Sequence, residues 1–323
     1  MTATRGPRTL RCAGIAAVAV APEYRSSGVG AALMTEILPQ LVVAGFPLAS
    51  LYAFRESYYR GFGYEVCGTR YEITCPSHRF PKVRPTLEMR MLGADEMCAI
   101  RPCYESFARR FSGMNIRGED MWWRQMGGDT PFAVYAAGDP IQAYVAVRLD
   151  AEFWVPQEVR EFVWTSPEGY RAGLALIGSL GINKTHAVWH EPGDSPFLQE
   201  YMDYEVQAKL HRPIMFRVLS VPGALGALAS DASGEFTLGV EDRLLPANSG
   251  PWRVAYGAEG VCVERCENAE IETDIRSFTQ ALLGEPDFES LLVSGRIRAK
   301  SPAHAAAARR LLAPRRIYCV DFF

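Results

Sequence analysis

At 323 residues the chain is too long for one ordinary hydrophobic core, so two or three domains are expected. Apolar residues make up 48% and charged residues 22%, the balance of a soluble globular protein. The formal net charge of −3 gives no electrostatic footprint for nucleic acid or an anionic membrane, and no apolar run nears the roughly 20 residues of a membrane span.

Arg5, Arg8 and Arg11 ahead of "AGIAAVAVA" imitate a short signal peptide. The run is rich in Ala and Val rather than Leu, however, and it leads straight into a glycine motif, as a strand would. "GIAAVAVAP" (14–22) therefore reads as a buried strand stopped by Pro22. Over 28–44, Val29, Leu33, Ile37, Leu38 and Leu41 recur at helical spacing, and Gly45 is the expected cap. "PLASLYAF" (47–54) reads as the next strand. "ESYYRGFGYEV" begins as a short helix ending near Gly63; Tyr64 opens another strand, which "GTRYEITC" continues. The order is strand, glycine turn, helix, strand, short helix, strand: a βαβ unit with a tail.

A polar, proline-bearing stretch at 75–85 reads as a linker. Beyond it, "DEMCAIRPCYESFARRF" and "EDMWWRQM" suggest helices, with Trp122 and Trp123 in a core or interface. "PFAVYAAGDPIQAYVAVRL" suggests a hairpin turning at Gly138-Asp139. "EVREFVWT", "PEGYRAGLALIGSLG" and "THAVWHEP" repeat the βαβ order without a glycine turn, so no second nucleotide site is expected. From about Met215, short strands beginning with "MFRVLSV" and helices at "DIRSFTQALLG" and "PAHAAAARRLLA" form an α+β unit, in which Asp242 and Asp274 read as turn or capping residues. The expected domains are 1–80, 81–214 and 215–323, in an α/β (α+β) fold.

Arg25-Ser26-Ser27-Gly28-Val29-Gly30 fits Arg/Gln-x-x-Gly-x-Gly/Ala. A glycine-rich turn entering a helix exposes backbone N–H groups at the positive end of the helix dipole, where phosphate oxygens bind. The same pattern also occurs as a plain turn. The tyrosines of "YYRGFGYEV" are open to two readings. A phenol with a pKa of about 10 can give a proton to a departing thiolate, or Tyr58, Tyr59 and Tyr64 are packing aromatics. The eight cysteines are scattered, and Cys262 and Cys266 have no histidine nearby. His186 and His190 lie on a strand and its exit. No metal is expected, and reduced thiols suit a cytoplasmic protein.

"VAVAPEYRSSGVGAALM" together with "LYAFRESYYRGFGYEVCG" resembles the GNAT N-acetyltransferases, specifically the Eis-like (enhanced intracellular survival) branch. "PIMFRVLSV" resembles the entry to that branch's third domain, and "CVDFF" its aromatic C-terminus. The resemblance implies a GNAT domain, a second degenerate GNAT-like domain and a C-terminal domain like sterol carrier proteins. It implies acetyl-CoA binding through Val18 and Val20 and through Arg25, Ser26, Ser27, Gly28, Val29 and Gly30. It gives Tyr59 the role of general acid and the α-carboxylate of Phe323 that of base or orienter. The implied acceptor is a small-molecule or lysine-type primary amine, and the implied assembly a homo-oligomer, a hexamer.

The chain also departs from the pattern. Only about 20 residues precede the glycine turn, where a GNAT fold has further strands and helices. A late start of the sequence is favoured over a natural remnant, and the first strand is expected to be an exposed apolar edge. Serines at 26 and 27 replace arginines common at these positions. The rival reading is a non-catalytic coenzyme A-binding scaffold lacking an acceptor pocket; a lipid-binding role for the last domain ranks below both.

Overall fold

The computed structural model describes residues 1–149, 152–212 and 214–321. Among them, the chain forms a mixed α/β structure built on three sheets of six, seven and five strands.

The first sheet runs Glu65–Val66, Ile214–Val218, Leu48–Tyr52, Arg8–Ile15, Thr2–Arg5, Ser112–Asn115. Alternation of side chains along its strands gives it two apolar faces. Ala13, Ile15, Ala49 and Leu51 meet Met34 and Leu38 of the helix Val29–Val43. Leu10, Cys12 and Leu48 point the other way, into a core shared with the third domain. The sheet is therefore filled on both sides.

Four expectations change here. The strand read over 14–22 begins at Arg8 and ends at Ile15, because Ala17 adopts φ +55° and turns the chain out of the sheet. A strand at Thr2–Arg5 precedes it, joined through Gly6 at φ +60°. The expected exposed edge is covered: Ala3 and Arg5 pair with Asn115 and Ser112 of a strand from the second unit. "GTRYEITC" does not continue the strand opened near Tyr64. Gly68, at φ +76°, turns the chain, and Arg70–Pro76 pairs in the second sheet. A Cβ at Gly68 would lie 2.4 Å from Ile317, so the crossing needs glycine. The crossing thus precedes the boundary expected near residue 80.

The fourth change concerns "MFRVLSV". Ile214–Val218 belongs to the first sheet, wedged between Leu48–Tyr52 and Glu65–Val66. All five of its residues are buried, so both faces of the strand are covered.

The second sheet carries the expected hairpin Ala133–Ala137/Ala143–Val147 and the repeated unit: strand Gln157–Trp164, helix Pro167–Leu180, strand His186–Pro192. The third sheet packs the helices Ile275–Leu283 and Pro302–Leu311 over Phe236, Leu238, Val254 and Ile271. Asp274 is the N-cap expected of it, accepting from the amides of Arg276 and Ser277. No helix among the described residues is long and apolar enough to cross a membrane.

Candidate functional site

The strands Arg8–Ile15 and Leu48–Tyr52 run parallel and in register from Cys12↔Leu48 to Ile15↔Leu51. Past Ile15 the chain leaves its neighbour. A β-strand normally spends its amides on the next strand; Val18 and Val20 have none to meet. Among the described residues their N–H groups find no acceptor, and neither do those of Ser26, Ser27 and Gly28.

A one-turn 3₁₀ segment, Pro22–Tyr24, folds the chain back toward the helix. Ser26 at φ +64° and Gly28 at φ +87° make the entry, and Gly28 is the N-cap without a capping side chain. Ser27 Oγ donates to the Tyr24 carbonyl at 2.5 Å, so its hydroxyl is spent in the turn and not on the helix end. The leading amides of the helix Val29–Val43 therefore point outward at the positive end of its dipole, with no acidic residue in the first turn. Arg25 Nε donates to the Val20 carbonyl at 3.3 Å, tying the turn to the departing arm and leaving the rest of an exposed guanidinium free to face an anion.

These segments line an open cleft of about 750 Å³. Val18, Val20, Arg25, Ser26, Gly28, Val29 and Gly30 all border it; Ser27 does not. Its far wall is Phe54, Arg55 and Tyr58. A Cβ at Gly30 would lie 2.9 Å from Tyr58 Oη and 3.3 Å from Val20 Cγ2, so Gly30 is what lets the helix approach both.

Tyr58 and Tyr59 part company. The short helix Glu56–Arg60 puts Tyr58 on the cleft wall, while Tyr59 is 3% exposed, edge-on to Phe54, Tyr58 and Tyr64. The Tyr59 hydroxyl finds no partner among the described residues. Burial, and then the neighbouring Tyr58, raise its pKa above that of a free phenol, so it is protonated at neutral pH. The end of the motif is clamped from outside. A Cβ at Gly63 would overlap Arg217, whose guanidinium pairs with the buried Asp242 at 2.9 Å. Asp242, expected as a turn or capping residue, accepts the turn amides of Leu244 and Leu245 besides this ion pair.

Phe323 lies outside the described residues. The tail leading to it is firmly held. Tyr52, the last residue of its strand, donates its hydroxyl to the Asp321 carbonyl. The Asp321 carboxylate is fully buried and accepts from Arg117 Nε at 2.9 Å, Asn115 Nδ2 at 3.0 Å and Tyr104 Oη at 3.2 Å. Arg117 also grips Glu161, which accepts from Tyr144 Oη at 2.6 Å, and stacks on the Tyr104 ring at 3.8 Å. Two carboxylates thus share one guanidinium in the interior, with three further donors meeting their lone pairs. Sequence reading misses Arg117 and Glu161; nothing local marks residues whose partners lie 204 and 44 positions away.

All eight cysteines are free thiols. Among the described residues no three His, Cys, Asp or Glu side chains converge as a metal site. The cleft fits an extended coenzyme carrying a diphosphate: amides without acceptors, a helix start without a cap, and room beside them.

Residues 1–67 match the acetyltransferase (GNAT) domain family, and residues 221–320 match the sterol carrier protein domain family. An uncharacterised N-acetyltransferase of Streptomyces coelicolor is 25% identical over 315 residues, spanning 91% of this chain and 76% of the relative. N-acetyltransferase Eis of Mycobacterium bovis is 25% identical over 316 residues, spanning 92% of this chain and 77% of the relative. A crystallised GCN5-related N-acetyltransferase from Anabaena variabilis shares the fold with a TM-score of 0.88 at 22% identity, covering 100% of this chain and 85% of that one.

Proposed function

We propose that the chain, which is similar to Eis-like GNAT N-acetyltransferases along nearly its whole length, transfers the acetyl group of acetyl-CoA directly to a primary amine held in the same ternary complex. The observation that carries this reading is the set of acceptor-free amides at Val18, Val20, Ser26, Ser27 and Gly28, set along one open cleft that runs into an uncapped helix start. Acetyl-CoA, when bound, would supply the acetyl thioester that an amine attacks, releasing coenzyme A thiol without a covalent enzyme intermediate.

The amides of Ser26 to Gly30, with Arg25, hold the diphosphate. The amides of Val18 and Val20 lie along the thioester arm and meet the negative charge that develops on its oxygen. Tyr59, protonated at neutral pH, holds the proton that the leaving sulfur requires. The α-carboxylate of Phe323, with an ordinary pKa near 3.5, takes the proton that the acceptor ammonium must lose. Asp321, two residues earlier, anchors that end of the chain through Arg117 and Tyr52. The acceptor is a small-molecule or lysine-type amine, the setting cytoplasmic and the assembly a homo-oligomer, a hexamer by resemblance.

Titration of the full chain with acetyl-CoA, followed by thiol release with a panel of primary amines, tests the reading. Saturable binding and amine-dependent release are expected; no binding of acetyl-CoA would overturn it. Tyr59→Phe and a short extension beyond Phe323 should each lower kcat by about 100-fold, with acetyl-CoA affinity unchanged. Full turnover in both variants would remove the two catalytic assignments.

A further inference from the structure

On the side of the first sheet away from the cleft, the turn after Thr2–Arg5, the loop 228–232 and the end of the helix Pro302–Leu311 enclose a cavity of about 630 Å³. Arg5, Arg8, Arg310 and Arg315 line it, with Asp231. Four guanidinium groups and one carboxylate leave three net positive charges in one concavity. Arg60, Arg117, Arg217, Arg253 and Arg309 each pair with a carboxylate, while others, such as Arg109 and Arg265, donate to backbone carbonyls. Among the described residues, none of the four cavity arginines has such a partner.

Arg5 is held in position despite this. Arg5 is 6% exposed, and its guanidinium donates to the carbonyls of Leu282 at 2.5 Å and Ala313 at 2.7 Å. Arg315 lies flat against the turn, its guanidinium carbon 2.9 Å from where a Cβ on Gly6 would sit. Burial first, and then the charge of Arg315, lower the Arg5 pKa to about 10. Arg5 and Arg315 thus stand as like charges near enough to repel, with an ion-pair partner for neither among the described residues. The negative end of the helix dipole accounts for part of Arg310's attraction to this place, but not for Arg5, Arg8 or Arg315.

We infer that this cavity is a second binding site, for a phosphate-bearing small molecule. Planar guanidinium forks match phosphate oxygens two at a time, which ammonium groups do not. The volume is that of a small-ligand site, and Leu228, Pro7 and Leu311 offer apolar surface for the rest of the molecule. The site is separate from the coenzyme cleft and stands independently of the proposed activity.

Isothermal titration of the full chain with inorganic pyrophosphate, in the presence of saturating coenzyme A, tests it. One saturable site is expected, weakening as salt rises. Arg8→Gln and Arg315→Gln, both at exposed positions, should each weaken it by at least about tenfold, one charge-assisted contact's worth. Acetyl-CoA affinity should be unchanged in both variants, which verifies their fold. Absence of saturable pyrophosphate binding, or binding indifferent to both substitutions, would overturn the inference.

Discussion

The chain contains the same strand–helix–strand unit twice, and the two copies differ at one place, the wedge where their parallel strands part. In the first unit the helix opens at Gly28 with its leading amides free, and the wedge is an open cleft. In the second, Ser166 Oγ accepts from the Gly169 amide at 3.0 Å, and Pro167 has no N–H to offer. There too the strands separate early, pairing in parallel only at Gln157↔Ala187 and Glu158↔Val188. The space between them is filled by the chain's own C-terminal segment. The Tyr318 hydroxyl donates to the His190 carbonyl on one strand at 3.1 Å, and Phe162 and Val163 of the other strand, with Val320, close a gap with no room for water. Side chains thus fill in the second copy the kind of wedge that stands open in the first. The tail that closes the second wedge is also the one that Tyr52 holds beside the first.

Removing the tail's anchor should break this arrangement most severely. Arg117→Met leaves Glu161 and Asp321 buried without their cation, a loss of about 3–5 kcal/mol when one partner of a buried ion pair is deleted. Urea unfolding should register that loss, and transfer should fall further than acetyl-CoA affinity, because the tail and not the cleft is disturbed. A stability change below about 1 kcal/mol would mean that the network is not what fixes the tail.

The next largest effect separates the two units by pH. Glu191, on the second strand of the closed unit, is fully buried; it accepts from Trp189 Nε1 at 2.6 Å and Tyr170 Oη at 3.1 Å. Burial outweighs these donors and raises its pKa to about 7. A carboxyl whose pKa is higher in the folded chain binds its proton more tightly there than when unfolded. Its contribution to stability is therefore full below about pH 4.5 and is lost as pH rises through about 7. At 1.36 kcal/mol per unit the total is about 3 kcal/mol. Glu191→Gln should remove that slope, so the variant gains on the parent as pH rises from 5 to 8 in thermal or urea unfolding. Parallel pH profiles would assign the loss of stability at rising pH elsewhere.

The open wedge was largely legible in the sequence because its signals are local. Glycines at 28 and 30, apolar spacing from Val29 to Leu41 and the run at 47–54 each report on their own few residues. The end of the first strand was not legible: the departure at Ala17 is a left-handed residue with no glycine to announce it. "IMFRV" was read as a strand but assigned to the wrong sheet, since a fully buried strand carries no mark of its neighbours. The resemblance points to Tyr59, yet it is Tyr58 that borders the cleft; the helix phase from Glu56, which no local signal in the sequence gives, separates the two. The tail anchor is wholly non-local, three charged residues brought together by two sheets.

One substitution applied at matching places sharpens the comparison. At Gly30, a valine would press on Tyr58 Oη and Val20 Cγ2, both movable side-chain ends at the rim of an open cleft. Fold stability should therefore change little, while the side chain intrudes where the coenzyme would lie and weakens acetyl-CoA binding by about 100-fold, some 2.7 kcal/mol. At Gly169, in the first turn of the corresponding helix, a Cβ would lie 2.7 Å from the Gln142 carbonyl and 2.9 Å from Ala143 Cβ, backbone and a buried methyl that cannot step aside. Gly169→Val should accordingly cost about 1–3 kcal/mol of stability and leave acetyl-CoA affinity as it was. Calorimetric titration and urea unfolding on both variants would give opposite patterns if glycine serves a ligand in one copy and packing in the other. Should Gly30→Val bind acetyl-CoA normally, the open wedge would be a feature of the fold rather than of its chemistry.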